Sequence, residues 1–281
     1  MIAIADSGST KTRWTFIDKT SRRDILTSGM NPAVHNDGQI AAILANELPP
    51  LRATTIAEVH FYGAGCTPAN VPRMRQMLAQ AFGDKTAIAV YSDMLGAARA
   101  LFGDNAGIAC IIGTGSNSCL YDGKRMTDSV PSLGYILGDE GGGAALGRNF
   151  LNAIFKRRLP AALRDEYLTW AETSLDDVIS RVYRGTSPNR FLASTAPFVA
   201  QHIDDCDVER LVIDNFRAFF RHNILPYGAT KLPVGIVGGL AAALRRQLLR
   251  AAEEEHVDVD RILASPSDAL ADYHTRTITD R

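Results

Sequence analysis

The sequence predicts an α/β protein with two lobes, and three features of the chain support this prediction. Its 281 residues are enough for two domains of ordinary size, each with an apolar core. An apolar run leads into a turn rich in glycine, serine and threonine near residue 8 and again near residue 114. A strand is expected to return after each turn, and later strands alternate with helical segments. We therefore place the lobes at residues 1–105 and 106–281, leaving open whether the last helix packs back on the first lobe.

The first lobe is expected to begin with a meander of three short strands within residues 1–27, because apolar and polar residues alternate there. Asp37 and Pro68 are suited to helix starts, and helical spacing of apolar residues follows. The elements expected after the meander are a helix over 37–48, a strand over 59–62, a helix over 68–82, a strand over 87–91 and a helix that opens at 92–93.

The second lobe repeats this order of elements from Gly107, which indicates an internal duplication. A strand, a glycine turn and a second strand to Tyr121 come first, and a short strand over 124–126 follows. The elements expected after these are a mostly helical block over 142–225, a strand over 233–237, a helix over 240–255 and a final helix over 267–274.

Composition narrows the classes of partner. The 30 Lys and Arg residues nearly balance the 31 Asp and Glu residues, so no overall field attracts nucleic acid or an anionic membrane. No run of eighteen apolar residues and no basic leader occurs, so we expect a cytoplasmic protein with small-molecule partners. The four cysteines have neither CxxC spacing nor a neighbouring histidine pattern, which favours reduced thiols over a zinc site or disulfides.

The first loop, Asp6-Ser7-Gly8-Ser9-Thr10-Lys11-Thr12, has the donors that a phosphate group needs. Ser9, Thr10 and Lys11 can bind phosphate oxygens, and Asp6 at the strand end can hold magnesium through water. An ordinary hairpin turn is the alternative interpretation. The Walker A spacing is absent, and no helix is expected directly after the loop.

A second glycine loop and a glycine pair extend the pattern. Gly113-Thr114-Gly115-Ser116-Asn117 lacks the third glycine of a dinucleotide fingerprint and leads into a strand, so a Rossmann site is not expected. Together with the first loop it favours phosphate binding. Gly238 and Gly239 stand between a buried strand and a helix, where a flat ring can approach the backbone because no Cβ intervenes. A purely structural turn fits this pair equally well.

Two carboxylates are candidates for chemistry. Asp93 follows a buried strand at a helix start, where it can act as a general base on a substrate hydroxyl or simply cap the helix. Asp139 lies within Gly138-Asp139-Glu140-Gly141, a loop crowded with glycine. It can accept hydrogen bonds from two sugar hydroxyls, support magnesium, or only favour the start of the following helix.

Taken in order, these segments resemble the sugar kinase branch of the superfamily that includes actin, hexokinase and the heat-shock ATPases. The chain is most similar to the N-acetylglucosamine kinase group, which is also named after the BadF/BadG ATPases. The first loop resembles the opening DGGGTKT of that group, with Ser7 and Ser9 in place of two glycines. The other matching segments are Ser92-Asp93 with Gly96-Ala97, Gly113 to Asn117, Gly134 to Gly141, Gly238-Gly239, and Ser265-Pro266 with Tyr273-His274.

The resemblance implies two RNase H-like lobes with a ligand cleft between them, a C-terminal lobe enriched in helices, and ATP-dependent phosphoryl transfer to the 6-hydroxyl of an amino sugar. By position, the roles it implies are as follows: Asp93 as catalytic base, Asp6 as magnesium support, Ser9, Thr10 and Lys11 as first phosphate loop, Gly113, Thr114, Gly115 and Ser116 as second phosphate loop, Gly238 and Gly239 at adenosine, and Asn31, Asp93, Thr114 and Asp139 at the sugar. Such a reaction needs positioning and charge neutralisation more than covalent chemistry.

N-acetylglucosamine is the expected acceptor, with N-acetylmuramic acid or glucosamine as alternatives. Many relatives have tryptophan before the glycine of the third loop, where this chain has Ser132-Leu133-Gly134-Tyr135, so the choice of substrate stays open. A BadF-type activator ATPase would need cysteines for an iron–sulfur cluster, and a non-catalytic sugar or nucleotide sensor would bind ligand without turnover. A homodimer is expected by family analogy alone.

Overall fold

The chain divides into two units, one formed by residues 1–104 with 266–281 and the other by residues 105–265. The structure, a computed structural model, describes residues 1–48, 56–228 and 231–279. Within these ranges, no helix is long and apolar enough to span a bilayer.

Unit 1 is built on a five-stranded mixed sheet with the order β3-β2-β1-β4-β5. The first three strands form the expected antiparallel meander, and β4 and β5 run parallel to β1. Helix α13 belongs to this unit although it lies at the other end of the chain. The elements are β1 (Ile2–Ser7), β2 (Lys11–Ile17), β3 (Arg22–Ser28), α1 (Asp37–Asn46), β4 (Glu58–Gly63), α2 (Val71–Phe82), β5 (Ala87–Ser92), α3 (Asp93–Phe102) and α13 (Ser267–Thr279).

Unit 2 has a second five-stranded sheet with the order β10-β9-β6-β7-β8, in which β6 pairs antiparallel with β7 and parallel with β9. Its elements are β6 (Gly107–Ile112), β7 (Ser116–Tyr121), β8 (Met126–Asp128), α4 (Gly134–Leu137), α5 (Gly143–Phe155), α6 (Ala161–Trp170), α7 (Leu175–Tyr183), α8 (Pro188–Ala193), α9 (Ala196–Gln201), α10 (Cys206–Phe219), a π-helix (Phe220–Ile224), a 3-10 helix (Leu225–Tyr227), β9 (Val234–Val237), α11 (Gly239–Ala243), α12 (Arg245–Glu254) and β10 (Val259–Leu263).

Each unit has its own apolar core, as expected for two domains that each bury one face of a sheet. In unit 1, Trp14, Phe61 and Met74 are fully buried between the sheet and its helices. In unit 2, Phe150 and Phe216 belong to a larger cluster under the helical block. The predicted fold class and the repeated order of elements are thus confirmed, because both sheets place the first strand of the meander beside the fourth strand.

Several predicted boundaries differ from the structure. The helix expected from Pro68 begins at Val71, because the N–H groups of Asn70 and Val71 both bond to the Thr67 carbonyl in a preceding turn. The helix expected over 240–255 is two helices that meet at Leu244. Strand β10 and the single turn of α4 were not predicted, since neither the edge strand β10 nor α4 has a buried side chain.

Candidate active site

Three parallel strands of unit 1 end at the same edge of the sheet. The register pairs Ser7 with Gly63 and Gly63 with Ser92, so β1, β4 and β5 finish side by side. Asp6 lies one residue before the end of β1, and Asp93 comes directly after β5. In open α/β sheets, ligands bind beyond the carboxyl ends of the parallel strands. Local strand pairing therefore brings these two carboxylates to the edge where a ligand site is expected.

The side chain of Ser92, and not that of Asp93, caps helix α3. Ser92 Oγ accepts a hydrogen bond from Leu95 N–H at 3.2 Å, while Asp93 is the first residue of the helix and its Oδ1 accepts from Met94 N–H at 2.8 Å. Ser92 therefore supplies the cap that the sequence alone would also allow Asp93 to supply. The Asp93 carboxylate is consequently not needed as the N-cap of α3.

Burial raises the pKa of the Asp93 carboxyl above the ordinary aspartate value, and the negative charge of Asp6 raises it further, against a lowering by the Met94 N–H. No basic side chain is among the groups that shift this pKa. A buried carboxylate without a cationic partner is a stronger proton acceptor than one in water. Its environment therefore suits a general base.

Asp6 is held from the other end of the chain. Ser267, the buried first residue of α13, donates a hydrogen bond from Oγ to Asp6 Oδ2 at 2.9 Å. Sequence reasoning missed this contact, because Asp6 and Ser267 are 261 residues apart and no local pattern links them. The bond orients a carboxylate whose side chain is still partly exposed and can face a hydrated cation.

The two serines of the first loop have different surroundings. Ser7 is buried, with its Oγ 2.7 Å from Thr12 Oγ1, and it accepts a hydrogen bond from Met30 N–H at 3.1 Å. It therefore joins the loop to the end of the meander. Ser9 is half-buried, whereas the side chains of Thr10 and Lys11 are exposed and accessible to a ligand.

Asn31 lies against the same loop and is almost fully buried. Its Nδ2 donates to Ser9 Oγ at 2.8 Å, and its Oδ1 accepts from Ala33 N–H at 2.9 Å. Gly65, with φ +74°, approaches so closely that a Cβ there would lie 2.0 Å from Asn31 Oδ1. The position of the Asn31 amide is thus fixed by its neighbours, and only one of its two Nδ2 hydrogens is used by Ser9.

In unit 2, the second glycine loop is joined to the start of α5. The carbonyl of Gly113 accepts from Gly143 N–H and that of Thr114 accepts from Ala144 N–H, both at 2.8 Å. Gly142 packs so tightly on the loop that a Cβ on it would lie 2.8 Å from the Cα of Gly115. The side chain of Thr114 is nevertheless exposed and open to a ligand.

Asp139 meets this loop directly. Its Oδ1 accepts from Ser116 N–H at 3.3 Å, and a Cβ on Gly115 would lie 2.6 Å from its Oδ2. The Ser116 hydroxyl donates to the Glu140 carbonyl at 2.6 Å, so both donors of Ser116 bond to protein atoms in this structure. Burial raises the pKa of Asp139, and Glu140 adds to the rise against the Ser116 N–H. The sequence did not predict this pairing of two loops 23 residues apart.

Gly238 and Gly239 follow β9 next to the end of β6. Gly238 has φ +149°, and a Cβ on it would lie 1.9 Å from the Ile112 carbonyl oxygen, so only glycine fits. Its N–H donates to the Leu263 carbonyl at 2.8 Å. A Cβ on Gly239 would meet no atom within 4 Å. Gly238 is therefore required by the fold, whereas the space beside Gly239 is open to a ligand.

The two sheets and the turns that follow their parallel strands define two RNase H-like lobes, the α/β fold shared by the actin-like ATPases and the sugar kinases. Searches with models of protein families gave no match, and neither did a search of curated proteins.

Similar solved structures identify the branch. A crystal structure from Porphyromonas gingivalis, named as a candidate N-acetylglucosamine kinase, is 42% identical with a TM-score of 0.93, covering 98% of this chain and 98% of its own. A second candidate N-acetylglucosamine kinase, from Chromobacterium violaceum, has a TM-score of 0.73 over 97% of this chain and 98% of its own, and at 16% identity it supports the fold alone. The chain belongs to the N-acetylglucosamine kinase family, which confirms the predicted enzyme class of ATP-dependent sugar kinase.

Proposed function

We propose that this enzyme transfers the γ-phosphate of ATP to the 6-hydroxyl of an amino sugar, with N-acetylglucosamine as the first candidate. The observation that carries the proposal is the Asp93 carboxylate, which is half-buried, has a raised pKa and follows a parallel strand at the sheet edge that also holds Asp6. The name of the 42%-identical structure supports the choice of acceptor.

In the proposed reaction, Asp93 accepts the proton of the acceptor hydroxyl as its oxygen forms a bond to the γ-phosphorus. The bond between that phosphorus and the bridging oxygen breaks, and ADP leaves with the electron pair. General-base assistance of this kind contributes about 10²–10⁴ to a rate. Asn31 and Asp139 would hold sugar hydroxyls, each fixed by the contacts described above.

The residues present fit ATP and Mg²⁺. Asp6 offers a partly exposed carboxylate oriented by Ser267, the ligand type that magnesium prefers, and bound magnesium would neutralise phosphate charge. Lys11 and Thr10 of the first loop and Thr114 of the second offer exposed polar side chains to phosphate oxygens. Gly239 leaves space for the adenosine.

The cysteines argue against an activator ATPase. Cys66, Cys110 and Cys119 are buried, and burial raises the pKa of all three thiols, to about 12 for Cys66 and Cys119. Thiolates are the ligands of iron–sulfur clusters, so thiols held protonated in a core are unsuitable. Only Cys206 is exposed.

An ADP-release assay tests the proposal. N-acetylglucosamine, N-acetylmuramic acid, glucosamine and glucose are compared at equal concentrations, with and without magnesium, and the phosphorylated position is determined by NMR. We expect magnesium-dependent release with an amino sugar and phosphate on O6. Sugar binding without any sugar-dependent ADP release would favour a sensor and overturn the proposal.

A further inference from the structure

A pocket of about 790 Å³ lies in unit 1, apart from the candidate active site. It opens at the edge of the sheet where β1 and β4 begin, with Ile2 and Ile17 as apolar walls, and neither Asp6 nor Asp93 lines it. Pockets of roughly 300–1,000 Å³ are the usual size for small-molecule sites. We call it the Arg99 pocket, after the cation at its wall.

Arg99 has an unusual environment for a largely buried guanidinium. Its central carbon lies 4.5 Å from the centre of the Tyr91 ring and 5.5 Å from that of Tyr273, and its Nη1 donates to Tyr62 Oη at 2.8 Å. Among the described residues, no carboxylate forms an ion pair with it, and its buried Nε has no acceptor. Arginine stays charged in proteins, and aromatic faces compensate a buried charge only partly.

Two carboxylates, Asp18 and Glu58, also line the pocket, and among the described residues neither forms an ion pair with Arg99. Asp18 accepts hydrogen bonds from the backbone and side chains of Thr20 and Ser21, which lower its pKa to about 2, so its carboxylate is ionised and is held within its own turn. Glu58 bonds to His60 Nε2 at 3.1 Å. Lys19 is exposed at the rim and, within the described chain, forms no ion pair.

We propose that the Arg99 pocket binds a small organic anion, with a carboxylate or phosphate group at Arg99 and Lys19 and a flat or apolar body against the rings of Tyr91 and Tyr273. A planar guanidinium recognises both kinds of group through paired hydrogen bonds. The aromatic wall requires a ring or apolar body on the ligand, so inorganic anions alone are poor ligands.

Phenyl phosphate, benzoate and the neutral benzyl alcohol are suitable probes, titrated into the full-length protein labelled with 3-fluorotyrosine. Eight tyrosines give eight ¹⁹F signals, and Tyr→Phe variants assign those of Tyr91 and Tyr273. We expect both signals to shift with at least one anion, with a Kd on the order of 1 mM, and not with benzyl alcohol. Comparison of phenyl phosphate with benzoate shows whether the pocket prefers a phosphate or a carboxylate group.

Three substitutions sharpen the test. Arg99→Gln should weaken binding about tenfold or more, Arg99→Lys should weaken it less, and Lys19→Gln should weaken it a few-fold. Lys124→Gln is the matched control, since Lys124 is an exposed turn lysine of unit 2, and it should leave binding unchanged. Equal shifts with benzyl alcohol, no shift with either anion, or unchanged affinity in the Arg99 and Lys19 variants would overturn the proposal. The preference of the unsubstituted protein for anions decides the matter even if Arg99→Gln does not fold.

Discussion

Replacing Asp93 by asparagine should separate catalysis from folding. Asparagine keeps the shape of the side chain and the Oδ1 that accepts from Met94 N–H at 2.8 Å, but it cannot take up a proton. We expect kcat to fall by about 10² or more, which corresponds to about 2.7 kcal/mol of transition-state stabilisation, with little change in either KM. ADP release and calorimetric titration of sugar and nucleotide measure the two effects.

Although Asp93→Asn should lower kcat, it should not lower the stability of the folded protein. Because the folded-state pKa of Asp93 is raised, its ionised form disfavours the folded state at neutral pH, and this penalty is absent when pH falls below the unfolded-state pKa. Asp93→Asn removes the charge, so Tm at pH 7 should be unchanged or higher.

The matched control for Asp93→Asn is Asp37→Asn. Asp37 is likewise the first residue of its helix, but it is exposed and paired with Arg73. This control should leave kcat unchanged. If Asp93→Asn retains near-normal turnover, or if it lowers kcat only together with Tm, Asp93 has a structural role and the base assignment is wrong.

Further predictions concern the same site and its support. Asp6→Asn should raise the magnesium concentration needed for activity, because it removes the carboxylate proposed to support the ion, and ADP release measured against magnesium concentration tests this; an unchanged magnesium requirement would place the ion elsewhere. Gly238→Ala should lower Tm by several degrees, because its Cβ would overlap a carbonyl oxygen of β6. Gly239→Ala should fold normally and raise the KM for ATP several-fold. An unchanged KM for ATP would place the adenosine elsewhere. Tyr62→Phe should lower the free energy of unfolding, measured with urea, by about 1–3 kcal/mol, because the buried Tyr62 hydroxyl bonds to the side chains of His274 and Arg99. A loss near zero would show that water replaces the hydroxyl as their partner.

The candidate residues of the site could be proposed from local sequence because they lie at or near the ends of predicted strands. Apolar runs lead up to Asp6, Asp93, Gly113 and Gly238. Each run predicts a strand, and the residues that follow it predict a turn or a helix start. Neighbouring parallel strands then bring such turns to one edge of a sheet, as the register of β1, β4 and β5 does in unit 1.

The contacts that orient the site could not be predicted, because they join distant segments. Nothing near Asp6 indicates Ser267, and nothing near Ser116 indicates that Asp139 accepts from its N–H. Edge strand β10 was missed for a different reason: none of its side chains is buried, so they lack the alternation that burial imposes. The roles of these site residues and the homodimer stay predictions.

The position of α13 has a consequence for how the protein is made. A ribosome completes all of unit 2 before it supplies residues 266–279, which belong to unit 1. At a synthesis rate of about 5–20 residues per second, Ser267 is added to the chain many seconds after the meander that contains Asp6. The carboxylate proposed to support magnesium therefore gains its hydrogen bond from Ser267 only after all of unit 2 has been synthesised, and a nascent chain stopped before α13 would lack this contact.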